Sequence, residues 1–307
     1  MVLRVDSLIK DFRKGFFRKK TRVLKNISFE VNQGEIFGVI GPNGAGKTVT
    51  FKSVMGFISP TSGNIKIFGQ DNSKYLLKEK LGYLPENPYF YEYLTGFELL
   101  NYMGSLHGIH GKHLLDRINY LLDRVNLTKS AGVQLRKYSK GMLQRIGIAQ
   151  AIINDPDFVI FDEPMSGLDP LGRREVRDLI LELKNNGKTV ILSSHILSDL
   201  EALCDRVCFI FHGEVVKQGN LADLLSEIES GYEAIIRKNS KVTQQLFGNN
   251  VVIEQRGEFI ALIFDEQHKN NILQSIHSNQ IDLVSFHPIR KSLENIFNIH
   301  SVIDKQN

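Results

Sequence analysis

Cysteine is scarce in this chain of 307 residues: only Cys204 and Cys208 occur, four positions apart. A disulfide framework is excluded, and there is no second thiolate pair to complete a structural zinc site. The two thiols are expected to pack as small apolar side chains, and a reducing cytosol suits them. Long hydrophobic runs are also missing. Val207 to Phe211 is typical, far short of the roughly 18 residues that cross a bilayer as a helix. Charges break up Met1 to Lys10 and no small-residue cleavage site follows, so no signal peptide is expected. Charge of one sign is weak as well: 38 Lys plus Arg stand against 34 Asp plus Glu, and a net +4 is too thin for a nucleic-acid footprint. No internal repeat is evident, and no heptad pattern is sustained.

What is present suits a soluble globular chain. Hydrophobic residues at 42% and charged residues at 23% are ordinary proportions, and the length allows one large domain or two. Short β-like runs dominate up to about Gly69: Leu3 to Ile9, Val23 to Val31, Ile36 to Ile40 and Asn64 to Phe68. The almost wholly apolar Ile36 to Ile40 reads as a strand covered on both faces, and a helix is expected over Lys47 to Met55. Helical periodicity then takes over, with stripes at Leu99, Leu100, Met103 and Leu106 and at Leu114, Leu115, Ile118, Leu121 and Leu122. These point to an inserted helical subdomain at about 87–140. Strands at Phe158 to Phe161 and Thr189 to Leu192 flank a helix from Leu171 to Lys184, which implies a parallel, helix-covered sheet and an α/β class. After Gly219 come strands at Tyr232 to Arg237, Val251 to Glu254 and Phe259 to Phe264, then helices near Asn270 to Ile276 and Lys291 to Ile299. The chain thus divides into 1–219 and a small α+β appendage, 220–307.

Gly41-Pro42-Asn43-Gly44-Ala45-Gly46-Lys47-Thr48 fits the phosphate-loop pattern GxxxxGK[ST], set between a buried strand and a helix. The glycines let backbone N–H groups converge on an anion, and the helix N-terminus adds a favourable dipole. Lys47 supplies charge at the outer phosphates and the Thr48 hydroxyl can ligate magnesium. The hydrophobic strand Phe158 to Phe161 ends in Asp162, a carboxylate in position to reach that magnesium. Glu163, one residue on, points differently and suits orienting or deprotonating an attacking water.

Three further segments complete an ordered set: Tyr138-Ser139-Lys140-Gly141-Met142-Leu143-Gln144-Arg145, then Ser166-Gly167-Leu168-Asp169, then Ser193-Ser194-His195. In this order residues 2 to 218 resemble the ATP-binding-cassette (ABC) ATPase family. The resemblance implies a P-loop NTPase of ABC type with an antiparallel β subdomain, and roles for ATP and Mg2+. Residues 138–142 align with a signature motif usually read Leu-Ser-Gly-Gly-Gln. There Ser139 and Gly141 match and would meet the γ-phosphate bound by the opposite subunit, whereas Tyr138, Lys140 and Met142 depart. Ser139 also suits a simple helix cap. By the same resemblance Asp169 connects the two nucleotide sites, and His195 contacts the γ-phosphate and attacking water. Glu86, in Gly82-Tyr83-Leu84-Pro85-Glu86, stands where the family has a metal-reaching glutamine and adds a negative charge. Phe12 either stacks on adenine, as the family's aromatic does, or is a core phenylalanine.

The resemblance also implies an active dimer, here a homodimer with a second ATP-binding subunit, in which two copies face head to tail. Multi-span membrane permease subunits would be its partners, and it would sit peripherally on the cytoplasmic side of the inner membrane. Ser292-Leu293-Glu294-Asn295-Ile296-Phe297 resembles an ending common in ATPase subunits of ABC-2-type exporters, or is a helix packed on the appendage. Arg13 to Arg22, with Phe16 and Phe17 among basic residues, reads as a solvated loop or as a contact for lipid headgroups. His107, His110 and His113 are interrupted by Gly108 and Gly111 and read as surface histidines. A soluble ABC ATPase acting on ribosomes or nucleic acid is the alternative, but two cassettes in one chain or a long coiled coil would be expected of it. A non-hydrolysing module would be expected to lack Glu163 or His195, and a small-molecule kinase would leave the signature segment without a purpose.

Overall fold

The first two-thirds of the chain build one ten-stranded sheet whose halves differ in character. In this computed structural model, residues 1–14, 19–227, 231–238, 244–248, 251–289 and 292–297 are described. The strands are β1 (Leu3–Lys14), β2 (Lys19–Val31), β3 (Ile36–Ile40), β4 (Ser62–Ile67), β5 (Gln70–Asp71), β6 (Leu81–Leu84), β7 (Phe158–Phe161), β8 (Thr189–Ser193), β9 (Arg206–Phe211) and β10 (Glu214–Asn220). Their spatial order is β5-β4-β1-β2-β10-β9-β3-β8-β7-β6. β1, β2, β4 and β5 pair antiparallel, whereas β9, β3, β8, β7 and β6 run parallel. β10 closes the join, antiparallel to β9 and bridged to β2 in the parallel sense between Glu214 and Asn26.

Burial follows from this division. Every residue of β3, β7 and β8 is buried, as parallel strands with helices on both faces require. β10, by contrast, alternates between half-buried and exposed positions. The strands expected at Ile36 to Ile40 and Phe158 to Phe161 form over those same residues. Fully buried Phe37, Phe158, Phe161 and Phe209 each contribute about 1.5–3 kcal/mol from apolar area removed from water. Cys204 and Cys208 are buried free thiols, and burial pushes both well above the ordinary thiol range.

The helices are α1 (Lys47–Val54), α2 (Gly96–Leu106), α3 (Gly111–Arg124), α4 (Lys140–Ala151), α5 (Pro170–Asn185), α6 (Leu197–Leu203) and α7 (Leu221–Ser226). α2 and α3 form the helical region anticipated from the periodicity. A capping box starts α2: Thr95 Oγ1 accepts the Glu98 N–H at 3.1 Å and Glu98 Oε2 accepts the Thr95 N–H at 2.8 Å. In α3, Leu114, Ile118, Leu121 and Leu122 are buried, one face of a 3.6-residue helix. Leu115 and Leu106, expected in the stripes from sequence, are exposed. Leu115 lies a residue off the buried arc, and Leu106 is the last residue of its helix.

The chain folds into two compact units, Met1–Leu221 and Ala222–Asn307. The second unit adds β11 (Gly231–Arg237), α8 (Gln244–Phe247), β12 (Val252–Arg256), β13 (Phe259–Asp265), α9 (Lys269–Ser278) and β14 (Leu283–Pro288). Its sheet has the order β12-β13-β11-β14 and is antiparallel throughout, giving the split βαβ arrangement βαββαβ. Ala234, Ile236, Leu262, Phe264, Ile272 and Ile276 form its core. Residues 293–297 are helical; positions 291, 298 and 299 of the expected helix, and the Phe16-Phe17 pair, lie outside the described residues. Among the described residues no helix is long and apolar enough to cross a membrane.

Candidate active site

Three adjacent parallel strands end at one place. β8 lies between β3 and β7, so the loops after all three converge at the carboxyl edge of the sheet, where α/β proteins bind ligands. The glycine-rich loop leaves β3, Asp162 and Glu163 follow β7, and Ser193 ends β8 between them.

Crowding fixes two of the loop's three glycines. A Cβ on Gly41 would stand 2.3 Å from the Ile210 carbonyl oxygen, so β9 itself forbids a side chain there. Gly46 has φ +113° and its Cβ would meet Leu24 Cδ2 at 2.6 Å; it is also the N-cap of α1. The N-terminus of α1 thereby opens onto a cavity of about 400 Å³ walled by residues 42–44 and 46–48, by Val23 and Val49, and by Glu86, Asp162 and Glu163. Ala45 is buried behind the loop, its carbonyl accepting the Gly213 N–H at 3.0 Å. A helix start and a buried lysine on its wall suit this cavity to an anion.

Lys47 is buried and its Nζ donates to the carbonyls of Gly41 at 2.6 Å and Pro42 at 3.3 Å. Burial lowers its pKa, while the charges of Glu163, Asp162 and Glu86 act in the opposite sense. Those carbonyls are neutral partners that a phosphate oxygen can replace with a charge-assisted bond. Asp162 is fully buried. Burial raises its pKa, outweighing the nearby Thr48 and Ser193 hydroxyls and Lys47. Its Oδ1 accepts from Ser193 Oγ at 2.7 Å, whereas its Oδ2 has no hydrogen-bond partner. A buried, unpartnered carboxylate oxygen beside a hydroxyl is the oxygen-only donor set that a hard cation such as magnesium requires.

Glu163 adopts φ +54°, a left-handed conformation that costs a non-glycine residue roughly 1–2 kcal/mol. Its N–H donates to Ser193 Oγ at 3.0 Å. Its carbonyl accepts from Gln144 Nε2 and from the Ser166 N–H, each at 3.1 Å. The turn aims the carboxylate at His195, whose Nδ1 lies 2.7 Å from Glu163 Oε2. Ser193 therefore joins both carboxylate positions, yet the sequence marks it only as the lead-in to His195. Gln144 likewise lies just past the signature residues, and nothing in its spacing marks its amide as aimed at Glu163.

The signature residues lie elsewhere. Ser139, Lys140, Gly141, Met142, Arg145 and residues 167–169 line a second cavity of about 500 Å³, which shares no residue with the first. Ser139 Oγ caps α4 by accepting the Met142 N–H at 3.2 Å, and Asp169 Oδ1 caps α5 by accepting the Gly172 N–H at 2.9 Å. Two of the departures from the family motif have local reasons. Tyr138 is buried and donates to the Ser130 carbonyl at 2.7 Å, and the Lys140 stem lies against Gly167, whose Cβ would come 3.0 Å from it. Phe12 lies on β1, half-buried with Lys10 Nζ 5.1 Å from its ring centroid, and is not among the residues walling the first cavity.

Comparison with known proteins agrees with this geometry. Residues 24–166 match the ABC transporter family. The chain is 42% identical over 303 residues to an uncharacterized ABC transporter ATP-binding protein of Synechocystis, covering 95% of this chain and 82% of that protein. It is 31% identical to the linearmycin resistance ATP-binding protein LnrL of Bacillus subtilis, over 92% of this chain and 94% of that one. A solved ATP-binding subunit of an ABC transporter superposes with a TM-score of 0.66 at 31% identity, over 74% of this chain and 93% of that chain. The chain belongs to the ABC transporter ATP-binding proteins and is an ABC-type ATPase.

Proposed function

We propose that two copies of this chain close head to tail on ATP and power an ABC-2-type exporter through separate membrane-spanning subunits. The single observation that carries dimeric action is the separation of the two cavities: the phosphate loop and the signature residues belong to one unit but wall different spaces. In a facing pair, each phosphate-loop cavity would be completed by Ser139, Gly141 and Asp169 of the other copy.

Within such a pair the backbone N–H groups of residues 43, 44 and 46–48 and the Lys47 amine bind the phosphates. Thr48 and Asp162, with Glu86 beside them, are the residues that would hold magnesium, which supplies positive charge against the phosphates when bound. Glu163 takes a proton from water as the water oxygen bonds to the γ-phosphorus and the bond to the bridging oxygen of ADP breaks. His195 orients the Glu163 carboxylate and faces the γ-phosphate. Loss of that phosphate removes the contacts holding the two copies together, so the dimer reopens.

The exporter class is supported by the Ser292 to Phe297 ending and by the relative whose name assigns it to linearmycin resistance. Residues 1–219 act as the ATP-binding domain, with the helical subdomain at about 87–140 facing the membrane subunits, and 220–307 as an accessory domain. The complex would lie on the cytoplasmic side of the inner membrane. Affinity purification of the full chain from native membranes tests this: a co-purifying multi-span protein is expected, and ribosomes alone would overturn it. For the dimer, Glu163→Gln with ATP should shift the chain to twice its mass by light scattering. A strictly monomeric, fully active preparation would refute it.

A further inference from the structure

We infer that Gln144 is a positioning residue for Glu163, holding the strained turn that aims its carboxylate. Gln144 is 3% exposed and its Nε2 lies 3.1 Å from the carbonyl oxygens of both Glu163 and Pro164. Only the NH2 end of the amide can donate to two carbonyls, so chemistry fixes the side chain's orientation. The turn it grips is the one with φ +54° at Glu163, a conformation that persists only where its surroundings over-determine it. Ser193 holds the N–H side of that turn and Gln144 the C=O side.

The consequence reaches further than the turn. Gln144 belongs to α4, the helix capped by Ser139, and α4 borders the second cavity through Ser139, Lys140, Gly141, Met142 and Arg145. The amide therefore ties the helix that would grip the partner's nucleotide to the base of its own protomer's site. Gln144 touches no reacting atom in this scheme. Its effect passes through the Glu163 backbone, so it should change the rate of the chemical step and not the grip on ATP.

The inference rests on Glu163 acting as the base, and the experiment separates the two. Gln144→Met keeps the volume and removes both donors. In the full-length chain, single-turnover release of labelled phosphate should fall roughly 10- to 100-fold, the scale of a misplaced catalytic group. ATP affinity, read by fluorescent-nucleotide titration, should stay within about twofold, below the 1.4 kcal/mol that a tenfold change represents. Combined with Glu163→Gln, Gln144→Met should add no further loss, because residues acting as one unit are non-additive. An unchanged rate in Gln144→Met, a joint fall of rate and affinity, or fully additive losses in the double variant would each overturn the positioning role. If Glu163→Gln alone left turnover intact, the base assignment itself would fall first.

Discussion

His195 Nδ1 lies 2.7 Å from Glu163 Oε2, and the His195 backbone N–H reaches the same oxygen at 3.3 Å. The two side chains differ sharply in burial: the carboxylate is 9% exposed and the imidazole 56%. The imidazole is thus open to a phosphate from the solvent side while it holds the buried carboxylate. His195→Ala should lower the turnover rate about 100-fold, the size of a lost acid–base partner, with ATP affinity nearly unchanged. Steady-state hydrolysis alongside nucleotide titration measures both; normal turnover would remove His195 from the mechanism.

Ser193 serves two neighbours through one oxygen, donating to Asp162 Oδ1 and accepting the Glu163 N–H. Ser193→Ala leaves a buried N–H without a partner and strips one donor from a buried carboxylate. Such losses cost about 1–3 kcal/mol each. Denaturant unfolding of the nucleotide-free protein should show a destabilisation of that order, and turnover should fall with it. Ser193→Thr, which restores the hydroxyl, should recover most of both. Failure of threonine to rescue would mean that packing at the end of β8, and not the hydroxyl, matters there.

The hairpin of β1 and β2 carries an acid-sensitive cluster. Asp11 lies 2.8 Å from both Arg22 Nε and Lys20 Nζ. Hydrogen bonds from Arg22 and then Lys20 hold its carboxyl down at about 2, below the reference 3.8. A carboxylate whose folded pKa is depressed stabilises the fold above its unfolded pKa and loses that contribution as pH falls through the folded value. The stability gap between the native chain and Asp11→Asn should therefore be constant above about pH 5, and close as pH falls from about 4 to 2. Urea unfolding across this range tests it; a gap that persisted at the acid end would show that the contribution is not ionic.

Much of this architecture is readable from sequence because it depends on neighbours in the chain. β3 and β7 are unbroken apolar runs since both faces are covered, and the phosphate loop is contiguous from Gly41 to Thr48. Other features exist only through contacts distant in sequence. Gln144 bonds to carbonyls 19 and 20 residues away, and no spacing rule indicates that α4 lies against that turn. β14 escapes a reading of the sequence because Leu-Val-Ser-Phe-His-Pro lacks clean alternation; its pairing with β11 defines it. The adenine-stacking alternative for Phe12 rests on position alone, and the ring faces Lys10 without walling the phosphate cavity.

If each nucleotide is held by the phosphate loop of one copy and the signature residues of the other, defects in the two halves should complement. Lys47→Ala removes the amine from the first cavity. Ser139→Asp keeps an oxygen acceptor for the Met142 N–H, so α4 remains capped, but it sets a carboxylate where a phosphate would approach. In a dimer mixed from these two chains, one site combines both defects and the other has neither. With Glu163→Gln in both chains to block turnover, either variant alone should trap no labelled ATP, whereas mixed dimers should retain a single nucleotide each. Separation of differently tagged chains by tandem affinity steps isolates the mixed species for counting. Equal, undiminished trapping by Ser139→Asp alone would mean that each chain grips ATP without its neighbour, and the facing arrangement would have to be abandoned.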